Sequence, residues 1–259
     1  MHGMCDPRFP FGFLHDNGDG TGCYGEADIR RGGGRTMCGR FTLFEPDRIL
    51  SREFGVSCFP GLSPRYNIAP SQRVAAVRAA PAGAGRELAL LRWGLIPSWS
   101  KDPAIGSRLI NARAETAREK PSFRNAFRRH RCLVPANGFY EWQRRERGKQ
   151  PYFVRMRDGR LFAFAGLWDR WEGPDEGVIE TCAILTTGAN AVLAPIHDRM
   201  PVILPPTEYA RWLDPSLPDT DTLAPLLAPF PPEEMLAFPV SPRVNAPTVD
   251  DERCLAPLP

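Results

Sequence analysis

Residues 150–168 read QPYFVRMRDGRLFAFAGLW, two apolar runs on either side of Asp158-Gly159. Aromatic and β-branched residues fit a pleated, half-buried surface, so both runs predict strands. An Asp-Gly step between two strands is the signal of a two-residue turn, and a tight hairpin is expected here. Working outward, RYNIAP (65–70), RVAAVRA (73–79), ELALLRWGLIP (87–97) and IETCAILTT (179–187) are further short β-rich runs, punctuated by Pro and Gly. Helical patterns are fewer: a segment from about Glu115 to His130, and TEYARWL (207–213) with Thr207 placed as its N-cap. With 28 prolines and more strands than helices, the expected fold is α+β. It is a single domain on a curved, barrel-like, mainly antiparallel β-sheet with a few flanking helices.

The chain has 259 residues, 42% of them hydrophobic, the composition of an ordinary globule. It contains no run of about 18 apolar residues and no basic-then-apolar leader, so neither a membrane span nor a secretory signal is read from it. A cytoplasmic, nucleoid-associated location is expected. The seven cysteines (5, 23, 38, 58, 132, 182 and 254) include no CxxC pair and no Cys/His cluster. Neither a disulfide framework nor a metal site follows, and no cofactor is expected. Cys58, Cys132, Cys182 and Cys254 read as small buried hydrophobes.

The formal charge of +3 is modest, but its distribution is uneven. Between positions 118 and 131 lie Arg118, Lys120, Arg124, Arg128, Arg129 and Arg131 against the single acid Glu119, with Phe123 and Phe127 four apart. Either this is a solvated helix pinned to the core by two phenylalanines, or it is a phosphate-contacting face. His130 is a further candidate phosphate contact. Residues 1–36 are glycine-rich and show neither a period of 2 nor one of 3.6. They are expected to be an unstructured leader, or upstream sequence translated from a start placed too early. RRGGG at 30–34 can be encoded by a purine-rich run of the kind found before bacterial start codons. The domain is expected to span 37–259, with Met37 as its first residue.

Five strings carry chemistry among turn and β residues: MCGRF (37–41), INARAET (110–116), PANGFYEW (135–142), TTGAN (186–190) and PIHDRMP (195–201). They offer the thiol of Cys38, the amide of Asn111, the carboxylate of Glu141, the imidazole of His197, and the fixed charges of Arg40, Arg113 and Arg199. Taken singly, each has a plainer role: a buried cysteine, a strand glutamate paired with an arginine, a structural histidine. Taken in order, MCGRF, NARAET, GFYEW and HDRMP resemble the SRAP family, the abasic-site processing proteins that crosslink themselves to DNA. The resemblance covers essentially all of 37–259, whereas 1–36 lie outside it.

The resemblance implies a specific reaction. An abasic site holds a deoxyribose in equilibrium with a ring-opened aldehyde. An N-terminal cysteine offers a 1,2-aminothiol, whose amine forms an imine at C1′ and whose thiol then closes a thiazolidine. The amine of Cys38 becomes free only when residues 1–37 are removed. A free α-amine titrates near about 8 and a thiol near about 8.5, so both are usable at neutral pH; Arg40 nearby would lower the thiol further. Glu141 is the candidate acid/base for opening the sugar, with His197 sharing that role or acting on the 3′ side. Asn111 positions nucleophile and sugar, while Arg40, Arg113 and Arg199 grip flanking phosphates. Proton loss at C2′ from the imine would give minor lyase activity. Pro70 and Trp99 correspond to wedges that hold the template open, although Ser100 stands where relatives often carry a second aromatic. Trp93 is equally well read as core. The implied partner is single-stranded DNA containing abasic sites, with replication-fork proteins as further candidates, no membrane, and a monomeric state.

Two rivals remain open at this point. In the first, Cys38, Glu141 and His197 serve an N-terminal-nucleophile hydrolase that cleaves after Met37. In the second, the basic segment and the tryptophans form a non-covalent single-strand binding module.

Overall fold

The computed structural model describes residues 39–56, 61–81, 85–174, 177–217 and 220–259. The expected leader, 1–36, and Cys38 lie outside the described residues. The β-rich runs form β1 (Arg40–Leu43), β2 (Arg65–Ile68), β3 (Arg73–Ala79), β4 (Arg86–Trp93), β5 (Asn111–Arg113), β6 (Arg131–Ala136) and β7 (Gly138–Arg144). They continue as β8 (Lys149–Met156), β9 (Phe162–Gly173), β10 (Gly177–Gly188), β11 (Arg199–Pro201), β12 (Ile203–Leu204) and β13 (Met235–Pro239). Helices are short: α1 (Asp47–Phe54), α2 (Ala114–Ala117), α3 (Arg124–Arg129), α4 (Tyr209–Leu213) and α5 (Thr220–Leu223).

The strands make two sheets. In one, β10, β4, β3, β6 and β9 follow in order and β9 pairs back onto β10, closing a five-stranded barrel. Closure removes the free edges that would otherwise template aggregation. The barrel is antiparallel except where β4 runs parallel to β10, and β5 also joins β10 in parallel. The other sheet is open, in the order β13-β8-β7-β1-β2, and antiparallel throughout. The α+β, barrel-like expectation therefore holds, with those two parallel pairings as an addition.

The open sheet is covered on both faces at β1 and the start of β7, which is why FTL and GFYE are uninterrupted buried runs. On one face Phe41 and Phe139 pack edge-on against the barrel: Phe41 lies 5.3 Å from Trp93 and 5.7 Å from Phe164, and Phe139 lies 5.9 Å from Phe164 between ring centroids. On the other, Tyr140 and Phe153 pack under a C-terminal segment through Val240, Val244 and Cys254. Trp93 is a core residue whose indole N–H donates to the Ile110 carbonyl at 2.9 Å.

The expected hairpin at Asp158-Gly159 does not form. Both strands exist, but β8 pairs with β7 and β13 while β9 pairs with β6, β10 and β12. The turn, with Gly159 at φ 77°, instead carries the chain from the open sheet into the barrel. Each strand finds an apolar partner elsewhere, and tertiary pairing overrides the local turn signal. The helix expected over 115–130 is broken into α2 and α3, because Pro121 disfavours helical backbone at the residue before it. Thr207 is not an N-cap: Pro206 opens a 3-10 turn over Pro206–Glu208, and α4 starts only at Tyr209.

The basic segment also divides. Arg131 is 3% exposed and donates to the carbonyls of Trp212, Phe127, Arg128, Asp214 and Leu217. It ties α3, α4 and the following loop to the barrel. Arg118 pairs with Asp221 at 3.2 Å, whereas Arg124, Arg128 and Arg129 are exposed. Phe123 and Phe127 are buried, as the anchored-helix reading expects.

Candidate functional site

The site is assembled where the open sheet meets the end of β10. In the antiparallel pair β1–β7, Arg40 lies opposite Tyr140 and Phe41 opposite Phe139. Continuing that register by one residue sets Gly39 opposite Glu141. Glu141 projects from the same face of β7 as Phe139, toward the barrel side, and is only 2% exposed. Two residues on, Gln143 donates from its side chain to the Pro195 carbonyl at 3.0 Å, fastening this face of β7 to the loop that carries His197.

That loop is tightly built. The His197 N–H donates to the Leu193 carbonyl at 2.9 Å, and the His197 Nδ1 accepts the Arg199 N–H at 3.1 Å. The Asp198 carboxylate lies 3.0 Å from the same Nδ1. One ring nitrogen cannot accept from an N–H and donate to a carboxylate at once. If Nδ1 accepts the Arg199 N–H, the neutral ring carries its proton on Nε2. Asp198, half exposed, competes for the same nitrogen, which can pair with the carboxylate only when it carries a proton and with the Arg199 N–H only when it does not.

Asn111 and Arg113 arrive on β5, opposite Ile184 and Thr186 of β10, and Arg199 arrives on β11, opposite Gly188. Arg113 is exposed. The Arg199 guanidinium forms a two-pronged pair with Glu115 and donates to the Thr186 carbonyl at 2.6 Å. That pair holds the Glu115 carboxyl below its usual range. Arg199 thus comes pre-oriented, with its charge already met by an acid that is itself half exposed.

Arg40 is held differently. Its guanidinium donates to Asn67 Oδ1 at 3.0 Å and to the carbonyls of Val244 and Asn245 at 2.6 and 3.2 Å, and stands 6.0 Å from the Trp142 ring centroid. Asn67, fully buried, donates in turn to the carbonyls of Val244, Ala246 and Val249. Asp250 accepts the N–H groups of Tyr66 and Asn67 at 2.5 and 2.8 Å and pairs with Arg65. The C-terminal segment is therefore a strap whose backbone carbonyls fix the start of β1. These groups, together with Gln143 and Glu115, were not among the residues singled out from sequence. The visible signal was an asparagine inside the strand RYNI, where a side-chain amide needs buried partners.

Pro70 is half-buried at the β2–β3 turn, followed by Ser71 at φ 68°, a left-handed conformation rare outside glycine. Trp99 is 59% exposed in the loop after β4, its indole 3.4 Å from the Pro121 carbonyl. β5 with Asn111 and Arg113, and β11 with Arg199, thus meet along the end of β10, and Gln143 ties β7, which carries Glu141, to the loop of His197; Arg40 is held by the strap, and Pro70 and Trp99 stand on separate loops. His130 stacks on Trp168 at 4.6 Å and lies 3.7 Å from Asp169. Cys132, Cys182 and Cys254 are buried, and burial pushes the Cys132 thiol up to about 12. Among the described residues no group of His, Cys, Asp or Glu is arranged to hold a metal, and no helix is long and apolar enough to cross a membrane.

Comparison with known proteins places this architecture in a family. Residues 37–247 match the SRAP model, described as SOS response associated peptidase, and the chain belongs to that family. A Bacillus subtilis relative named abasic site processing protein YoqW is 44% identical over 215 residues, 82% of this chain and 95% of its own. The Xenopus tropicalis protein named abasic site processing protein HMCES is 36% identical over 197 residues, which span 58% of that longer chain. A crystal structure of a protein from Bacteroides thetaiotaomicron superposes with a TM-score of 0.77 at 30% identity, covering 85% of this chain and all of that one.

Proposed function

We propose that this protein processes abasic sites in single-stranded DNA by crosslinking itself to them through Cys38, once residues 1–37 have been removed. The observation that carries the reading is the register of β1 on β7, Arg40 against Tyr140, which when extended by one residue sets Gly39, the covalent neighbour of Cys38, opposite the buried Glu141. The names borne by the relatives point the same way. Cross-strand neighbours are about 5 Å apart, within reach of one sugar.

The chemistry balances without a cofactor. Glu141 transfers the proton that opens the sugar between its ring oxygen and C1′ hydroxyl. The α-amine of Cys38 adds to the C1′ aldehyde and expels one water as the imine forms. The Cys38 thiol then adds across the C=N bond, giving a thiazolidine. Minor lyase activity follows if a base, for which His197 is the candidate, takes a C2′ proton from the imine while the C3′–O bond breaks and the 3′ phosphate leaves. Asn111 orients the sugar. Arg113 and Arg199 hold flanking phosphates, the latter by exchanging Glu115 for phosphate; Arg40 contributes its charge from a fixed position.

The test is intact mass spectrometry before and after incubation with a single-stranded oligonucleotide bearing one abasic site. A species starting at Cys38 that gains the oligonucleotide less one water is expected. If neither the 259-residue chain nor one begun at Met37 forms an adduct, crosslinking is ruled out. A second reading, autoproteolysis after Met37, draws on the family's description as a peptidase. It requires Met37 to be lost when methionine aminopeptidase is blocked.

A further inference from the structure

Strands β3 and β4 set Arg73 directly opposite Arg92 in antiparallel register, and both side chains are exposed. Like charges in that relation repel, so the pair weakens the sheet unless an anion lies between them. Further along β3 the contrast is plain: Arg78 is clamped by Glu87 and Glu180 at 2.6 and 2.7 Å. No ion pair among the described residues involves Arg73 or Arg92.

The two arginines line a cleft of about 650 Å³ together with Ser71, Leu90, Val178 and Glu180. Leu90 and Val178 are 41% and 47% exposed, unusual for large apolar side chains in this protein. Glu180, the cleft's acid, is already committed to Arg78. The rim is the turn carrying Pro70: the Ser71 N–H donates to the Trp93 carbonyl at 2.7 Å, which holds that turn against the end of β4.

We propose that this cleft seats the DNA strand flanking the lesion, with Arg73 and Arg92 converging on backbone phosphate and Leu90 and Val178 covering a sugar and base face. The inference rests on the DNA-processing reading and extends it to a surface none of the chemical strings touches. Side chains from directly opposed strand positions start about 5 Å apart, so two guanidiniums can share one phosphate. Exposed apolar surface beside cations is what an unpaired strand uses, since its bases are free to pack. An acidic protein segment would need the charges but not Leu90 and Val178.

The experiment measures affinity for a lesion-free single-stranded oligonucleotide against salt concentration. Three proteins are compared: wild type, the Arg73→Ala/Arg92→Ala variant, and an Arg52→Ala/Arg253→Ala control of equal net charge whose arginines are exposed and paired with Glu53 and Asp251. Losing one or two phosphate contacts flattens the log–log slope by about 0.7 to 1.4 for single strands. The Arg73/Arg92 variant is expected to show that loss, with a thermal midpoint at or above wild type. A slope equal to the control's overturns the cleft proposal alone. Wild type that fails to bind the oligonucleotide at low salt overturns the DNA reading with it.

Discussion

The closed barrel and the open sheet set their buried polar groups in different places. On the barrel, Arg131 and Asp169 are consumed structurally: the first satisfies loop and helix carbonyls, and the second accepts the N–H groups of Ser98 and Arg170. On the open sheet, Asn67 and Glu141 are buried beside the point where the chain enters β1. A closed barrel has no place for a reactive group except its ends. An open sheet covered on both faces at its centre can offer its first strand as a rigid mount, which is the use the proposed reaction makes of β1.

The sharpest way to break that comparison is Glu141→Gln. It should lower the crosslinking rate by about 10² to 10⁴, the usual range for a lost general acid/base, with the thermal midpoint little changed. Arg131→Met on the barrel side should do the reverse, costing about 3–5 kcal/mol of stability in urea melts by stranding buried carbonyls. Asn67→Ala lies between the two. Loss of its strap contacts should cost about 1–3 kcal/mol and also slow crosslinking, because Arg40 and the start of β1 loosen together.

A smaller effect concerns pH. Burial works to raise the Asp169 carboxyl, but His130 and the Ser98 and Arg170 N–H groups prevail and hold it below its usual range. A depressed carboxylate stabilises fully above its unfolded value of about 3.9 and loses that contribution as pH falls through the folded value. Urea melts between about pH 5 and pH 2 should therefore show an acid limb in wild type that is shallower in Asp169→Asn. The smallest signal is negative: a brief alkylation pulse at neutral pH, read by peptide mass spectrometry, should leave Cys132, Cys182 and Cys254 unlabelled, since all are buried with raised thiol values.

Strand identity was legible because it is a local property. RVAAVRA is β3 residue for residue, and ELALLRW lies within β4. Strand partnership was not, because Asp158-Gly159 looks the same whether the next strand folds back or crosses into a second sheet. The strings bearing Glu141, His197 and Asn111 stand out by residue type and order, and the family they point to is the one the chain matches. The strap was not: Asn67 and its carbonyl acceptors are separated by 177 to 182 positions, and backbone carbonyls leave no mark in a sequence.

Those long separations also bear on when the protein becomes competent. Arg40 is synthesised among the first residues of its sheet, yet the carbonyls that hold it belong to Val244 and Asn245, 204 and 205 positions later. These partners are made long after Arg40, so the start of β1 is not fully held until they emerge. Under the proposed crosslinking reaction, a nascent chain would therefore have its first strand fully held only once the strap had been made.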